Sequence, residues 1–158
     1  LQTGRWLLEQ QASRVVVVSG PENSNVARER VTGLQAALLG KVESFEILYA
    51  DFFMDAAWRE TSRWLNSHQA PDYFVGCNNQ ISLGIIKACI EHNLRLMDEV
   101  NLFSIDHVSH AEIYGFHFPC VSHDLQEIAW QALNLAIRRV QDGDSKPGKV
   151  IVRGRIAA

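Results

Sequence analysis

The chain lacks an excess of charge of either sign and lacks any long apolar run. Its 158 residues carry 15 Lys and Arg against 18 Asp and Glu, which gives a net charge of −3. A nucleic-acid-binding face usually shows as a basic patch, and the one adjacent basic pair here is Arg138-Arg139 in a helical stretch. A membrane-spanning helix needs ~20 apolar residues, and no run approaches that length. The composition therefore predicts neither direct nucleic-acid binding nor a membrane partner.

An export signal and paired cysteines are also missing. The first residues, Leu1 to Arg5, have neither the basic nor the apolar region of a signal peptide, and the chain has no initiator methionine. We therefore expect it to begin within a longer protein. Cys77, Cys89 and Cys120 are odd in number, and the first two fall in apolar patterns, which predicts reduced packing residues of a cytoplasmic protein. A cysteine-poor periplasmic protein is the alternative.

Motifs for phosphate, metal or covalent chemistry are absent as well. The sequence has no Gly-rich phosphate loop. Its histidine-rich stretch matches no zinc-ligand spacing, and no paired-cysteine motif accompanies it; the histidines are His107, His110, His117 and His123. Cys120 with His123 lacks a third group that would orient a nucleophile and its base. We therefore expect no cofactor, no metal and no enzyme activity, and a metal- or cysteine-dependent hydrolase is the weakest alternative.

The stretch from Pro71 to Asp106 contains the clearest structural signal. An apolar run at 73–75 is followed by Asn78, by a helical pattern over 81–90, and by a second apolar run over 100–105 that ends on Asp106. Two buried strands joined by a helix form a βαβ unit with a right-handed crossover. Ligands of open α/β sheets bind outside the carboxyl ends of the strands, where Asn78 and Asp106 would both lie.

The rest of the chain repeats the alternation of strands and helices. Apolar runs predict further strands, at 15–18, 45–49 and 150–152. Helical spacing predicts helices that begin near Ser24, Met54 and Asp124, the last being the most amphipathic of the chain, while the stretch 107–119 is predicted to be irregular. The pattern predicts an α/β fold with a doubly wound parallel sheet.

Four short motifs, in order and at matching spacing, resemble the effector-binding domain of the lactose-repressor (LacI/GalR) family of transcription regulators. They are Ser19-Gly20-Pro21 with Arg30 and Gly33, Cys77-Asn78-Asn79-Gln80-Ile81-Ser82-Leu83-Gly84, Phe103-Ser104-Ile105-Asp106, and Phe118-Pro119-Cys120-Val121. The sequence departs from the family at Asn79, where an aspartate is usual, and at Pro119-Cys120, where the family has a threonine pair. The resemblance implies a periplasmic-binding-protein-like (type I) lobe.

The resemblance also implies a domain division and a function. Residues 20–120 would form mainly the carboxyl-terminal lobe, while 1–19 and 121–141 would pack on a second lobe that precedes this stretch in the family. Operator DNA would be bound only through a helix-turn-helix headpiece that this chain lacks. The implied function is sensing of a small molecule, a sugar or sugar derivative, with lobe closure altering operator binding. A periplasmic sugar receptor of the same fold is the alternative.

The family's binding residues map onto five positions here: Arg30, Phe52, Asn78, Asp106 and His123. An arginine fork and a carboxylate suit paired sugar hydroxyls, an amide can both donate and accept, and an aromatic ring covers an apolar sugar face. Solvated, capping or core roles are the alternatives, and Asn79 is expected to be structural. The resemblance further implies a homodimer, with contacts at Leu83, Ile86, Lys87, Ile90 and Tyr114.

Overall fold

The computed structural model describes residues 1–109, 111–141 and 148–158. Within these residues six strands form one sheet: β1 Arg14–Ser19, β2 Ser44–Tyr49, β3 Tyr73–Gly76, β4 Asn101–Ile105, β5 Cys120–Ser122 and β6 Arg155–Ala157. The helices are α1 Gln2–Glu9, α2 Asn25–Leu38, α3 Met54–Leu65, α4 Asn79–Glu91 and α5 Leu125–Gln141, with a 3₁₀ turn at Ala111–Tyr114. No helix in the described part of the chain is long and apolar enough to cross a membrane.

The sheet runs in the order β2-β1-β3-β4-β5-β6, and its first five strands are parallel. The order reverses direction beside β1, where successive right-handed crossovers place their helices on opposite faces. Accordingly α1 packs on α2, and α3 packs on α4. The predicted doubly wound α/β architecture is confirmed, and the reversal creates a ligand-binding position at the carboxyl edge of the sheet.

The core follows from the apolar runs. Val15 to Val18 lie in the interior strand β1 and are buried on both faces, which explains why this run shows no alternation of apolar and polar residues. Phe74 on β3 and Phe103 on β4 are fully buried beside it. On the helical side, Gly84 lets α4 approach α3 closely, since a Cβ there would lie 2.7 Å from Cβ of Ala57. The sheet thereby holds the loops at its carboxyl edge on a rigid base.

The last strand differs from the prediction. Residues 150–152 form no strand, and the chain instead pairs at β6, antiparallel to β5, with Val121 opposite Ile156. The short strand β5 was not predicted. A β-branched run favours an extended backbone, but only a neighbouring ladder makes it a strand. Because β5 places its free edge beside 155–157, the pairing forms there.

Residues 1–19 contribute to the core beneath this sheet, whereas the resemblance placed them against a second lobe. Leu7 on α1 is fully buried, and β1 is an interior strand of the sheet. The Trp6 ring lies 5.1 Å from the Phe103 ring and 5.9 Å from the Tyr73 ring, measured between centroids. The amphipathic pattern of α1 marks a buried face, but it carries no information about which lobe covers that face.

The burial of Leu7 predicts that its replacement lowers the stability of the fold. Replacing Leu7 by alanine should lower the free energy of unfolding by ~2–5 kcal/mol, since it removes a fully buried side chain and leaves a cavity. Leu8→Ala, in the same helix but only half-buried, is the matched control and should cost clearly less. Urea denaturation of both variants measures the difference, and equal small losses would mean that α1 is loosely attached.

Among the α-helices that the structure describes, α5 differs from the others in having no buried residue. Asp124 caps it, as predicted, by accepting a hydrogen bond from the Glu127 amide at 2.9 Å. Its apolar side chains are exposed to solvent, and Trp130, for example, is 59% exposed. The expectation that 121–141 pack on a second lobe stays a prediction.

Candidate functional site

The five candidate binding residues come to one edge of the sheet. Phe52 follows β2, Asn78 follows β3, Asp106 follows β4 and His123 follows β5, all at carboxyl ends of parallel strands. Arg30 reaches the same edge from the second turn of α2. These residues lie up to 93 positions apart in the sequence, and the reversal of strand order in the sheet brings them together.

Asp106 has the most unusual backbone in this group. Its φ of +83° lies in the left-handed region, which is costly for a residue with a Cβ. The conformation is held by a hydrogen bond from the Asp106 amide to the Val121 carbonyl at 3.1 Å. The side chain remains 38% exposed. Strain of this kind concentrates at functional sites because it positions a side chain that an unstrained turn would place elsewhere.

Arg30 and His123 flank the Asp106 carboxylate. Arg30 Nη2 lies 3.8 Å from Oδ2, and His123 Nδ1 lies 3.1 Å from Oδ1. Arg30 also donates through Nη1 to the Cys77 carbonyl, which fixes the guanidinium beside β3. The two side chains are partly open to solvent, at 26% for Arg30 and 28% for His123. The group thus combines a forked donor, a double acceptor and an imidazole in contact with water.

Asn78 is the capping residue of α4, which is one of the two roles that the sequence left open for it. Its backbone is extended, and its Oδ1 accepts from the Ile81 amide at 2.7 Å. Its Nδ2 donates to the Phe52 carbonyl at 3.1 Å. Asn79 is the first residue of α4. The sequence could not decide the cap because a cap must precede the first helical residue, and two adjacent asparagines do not show where that residue is.

The two phenylalanines after β2 have different environments. Phe52 packs against the core and covers Gly20, where a Cβ would overlap its ring. Phe53 is 67% exposed at the start of α3. Phe52 therefore has the core role that the sequence left open as the alternative to ligand contact. Phe53 is an exposed aromatic that sequence reasoning left without a role.

An open cavity of about 420 Å³ lies beside His123. Asp124 and Glu127, at the start of α5, line one side of it, and the other side is lined by Arg153 before β6 and Arg155 at the start of β6. Gly154 lies between the two arginines, and a Cβ there would be 3.0 Å from His123 Nε2. Sequence reasoning missed Gly154, although an isolated glycine in a strand-like run is a known sign of close backbone approach.

The histidine-rich loop forms a separate and smaller cavity of about 180 Å³, lined in part by Phe116, Phe118 and Cys120. His107 Nε2 lies 3.1 Å from Glu112 Oε1 at its rim. Of the residues 1–109, 111–141 and 148–158, no three His, Cys, Asp or Glu side chains are grouped to hold a metal ion. His110 lies outside the described residues.

The cysteines behave as packing residues. All three are free and buried. Burial raises the pKa of the Cys77 thiol to about 11 and that of Cys89 to about 12. Burial, together with the nearby Asp106 and Glu112 carboxylates, also raises the pKa of Cys120. Thiols that keep their hydrogen at neutral pH are poor nucleophiles.

The outer face of α4 carries the four dimer candidates of that helix. Ile85 and Cys89 fill its core face, which leaves Leu83, Ile86 and Lys87 half-buried and Ile90 exposed. Lys87 Nζ lies 3.6 Å from the centroid of the Trp58 ring on α3. The fifth candidate, Tyr114, has a side chain outside the described part of the structure.

Comparisons with known proteins agree with this geometry. The family model described as "Periplasmic binding protein-like domain" matches residues 5–157. The HTH-type transcriptional repressor PurR of Escherichia coli O1:K1 is 24% identical over 157 residues, which cover 97% of this chain and 46% of that protein. The chain thus spans about half the length of the curated relatives it matches.

Solved structures give the same fold. The structure of a dimeric Lac repressor with an 11-residue C-terminal deletion has a TM-score of 0.86 at 18% identity, and the match covers 99% of this chain and 57% of that one. A LacI family regulator from Enterococcus faecium with bound ribose has a TM-score of 0.84 at 17% identity, with 99% and 59% covered. The predicted resemblance to lactose-repressor-type effector-binding domains is confirmed. The chain belongs to the periplasmic binding protein-like domain family.

Proposed function

We propose that this chain is the sensing portion of a transcription regulator and that it binds a small polyhydroxylated molecule, a sugar or sugar derivative, at the Arg30–Asp106–His123 group. The observation that carries the proposal is the left-handed backbone of Asp106, which presents its carboxylate between Arg30 and His123. A carboxylate and a guanidinium together accept from and donate to adjacent hydroxyls. The ribose bound to the regulator of the same fold supports this ligand class.

The binding site is proposed to be completed by a second lobe. The exposed apolar face of α5 and the open cavity beside His123 are the surfaces that such a lobe would cover. Effector binding would then close the two lobes and change how the regulator holds operator DNA through a headpiece outside this chain. The regulator would act in the cytoplasm and perform no chemistry on its ligand.

A thermal-shift screen tests the ligand class. The protein, in a form that includes the second lobe, is screened against ribose, galactose, lactose, fructose 1-phosphate, nucleosides and amino acids. A ligand at a hundred times its Kd adds ~2.7 kcal/mol to stability, so a binder raises Tm clearly. We expect one or more saccharides to do so. Stabilisation by nucleosides or amino acids alone would overturn the sugar assignment.

The proposal includes a homodimer that uses the outer face of α4. Leu83, Ile86 and Ile90 form an apolar stripe there beside Lys87, and the Lac repressor of the same fold is described as dimeric. An apolar stripe on a helix that already fills the core with its other face suits a self-complementary contact about a two-fold axis.

Leu83→Asp should therefore dissociate the dimer. Burying a carboxylate between two copies costs several kcal/mol of desolvation, which pairing with Lys87 one turn along α4 would offset only in part, so sedimentation at micromolar concentration should show a monomer where the wild type is a dimer. Leu39→Asp is the control, because Leu39 is exposed at the end of α2, away from the stripe. A wild-type monomer, or a dimer unaffected by Leu83→Asp, would contradict this interface.

A further inference from the structure

His123 is held on two opposite edges of its ring. Nδ1 lies 3.1 Å from Asp106 Oδ1, and because an ionised carboxylate has no hydrogen to donate, the ring donates from this nitrogen. The other edge, formed by Nε2 and Cδ2, faces the backbone of Gly154, where a Cβ would be 3.0 and 3.1 Å away. The imidazole therefore fills the space between the end of β4 and the segment that enters β6.

Gly154 is fixed in this position by the strand that follows it. β6 pairs with β5 from Arg155 opposite Ser122, so the backbone of 154 must pass directly over the residue after β5, which is His123. The same Cβ would also lie 2.6 Å from Val121 Cγ1. A glycine is thus required here by space, and its φ is not in the left-handed region.

We propose that Gly154 and His123 are positioning residues that connect the segment before β6 to the Asp106 carboxylate, so that a displacement of this segment changes which carboxylate oxygen is open to a ligand. The proposal deepens the proposed function and rests on it in one respect, namely that Asp106 faces the effector. Residues 148–154 belong to the same end of the chain as α5, which is proposed to meet the second lobe. A movement of the second lobe would then be transmitted to the ligand site through the His123 side chain.

Of the described residues, Asp106 is the one that the structure places in hydrogen-bond contact with the His123 ring. Asp124 Oδ1 caps α5 by accepting from the Glu127 amide. Arg30 reaches only the far oxygen of Asp106, at 3.8 Å from Oδ2. If the His123 ring moves, Oδ1 loses its hydrogen bond from Nδ1, while the contact between Arg30 and Oδ2 stays in place. This makes the two carboxylate oxygens unequal, with Oδ1 controlled by the segment before β6 and Oδ2 by α2.

The test uses NMR and needs no effector. The ¹³C signal of the Asp106 carboxyl carbon is followed in the 158-residue chain, with all variants made on a Val121→Ala background, which removes the other atom that a Cβ at 154 would touch. In His123→Leu the side chain at 123 cannot donate a hydrogen bond, so this variant gives the reference chemical shift of an Asp106 carboxylate without that partner. Gly154→Ala should move the signal toward that position. His123→Asn should leave it near the background value, because the asparagine Nδ2 can occupy the place of the imidazole Nδ1.

The decisive comparison is Gly154→Ala combined with His123→Asn. The shorter asparagine has no atoms where Nε2 and Cδ2 lie, so the added methyl should no longer move the Asp106 signal. The proposal is overturned if Gly154→Ala leaves the signal unchanged in a folded protein, or if it moves the signal equally with histidine or asparagine at 123. Either failure leaves the ligand class untouched, whereas a failed saccharide screen leaves this connection intact.

Discussion

Replacing Asp106 by asparagine is expected to weaken saccharide binding by ~2–4 kcal/mol, or roughly 30- to 1000-fold in Kd. Asparagine has one acceptor oxygen instead of two and carries no charge, so a ligand hydroxyl and the Arg30 guanidinium both lose a partner. The fold should survive, because asparagine tolerates the left-handed φ of this position better than alanine does. Isothermal titration calorimetry with the stabilising saccharide measures the change.

Asp98→Asn is the matched control for this experiment. Asp98 is an exposed carboxylate that pairs with Arg95 at 3.0 Å, on the loop between α4 and β4. Its replacement should leave the affinity unchanged. If Asp106→Asn binds the saccharide as tightly as the control, the ligand does not contact Asp106 and the site must be sought elsewhere.

Effector binding by the isolated 158-residue chain should be weaker by roughly 30- to 160-fold than binding by a form that includes the second lobe. Losing two buried hydrogen bonds costs ~2–3 kcal/mol, and the cavity beside His123 is open in the isolated chain. The exposed apolar face of α5 should also make the isolated chain prone to association. Calorimetry on both forms with the same saccharide measures the first effect.

A further prediction for the isolated chain concerns DNA binding. The 158-residue chain should not bind operator DNA, since its net charge of −3, from 15 basic and 18 acidic residues, does not predict a basic recognition surface. Equal saccharide affinity in the two forms would place the whole site within this lobe. The proposed closure of two lobes would then not apply.

Two strands that the sequence predicted, β1 and β3, are largely buried on both faces, while β2, predicted at 45–49, is a half-buried edge strand. The apolar runs at 15–18 and 73–75 fit a strand that is covered on both faces, so the local composition was sufficient to predict them as strands. The run at 150–152 has the same composition but no ladder beside it. Whether it becomes a strand depends on where β5 lies, and β5 is too short, at three residues, to be recognised from its own pattern.

The site shows the same limit. Resemblance placed Arg30, Asp106 and His123 at positions that the structure brings within contact distance. The left-handed backbone of Asp106 and the contact between His123 and Gly154 depend on how β4, β5 and the segment before β6 lie side by side. The spacing of residues along the chain does not predict that arrangement. The cap at Asn78 was likewise ambiguous until the first turn of α4 was located.

The most direct test of this account is an NMR titration of the uniformly ¹⁵N-labelled chain with the saccharide that stabilises it. Even weak binding shifts the signals of groups that touch the ligand. We expect changes at the Arg30 side chain, the Asn78 amide and the backbone of Asp106 and His123, all at one edge of the sheet. Changes confined to the loop 111–118, or to the outer face of α4, would show that the ligand binds elsewhere and would contradict the assignment of the site.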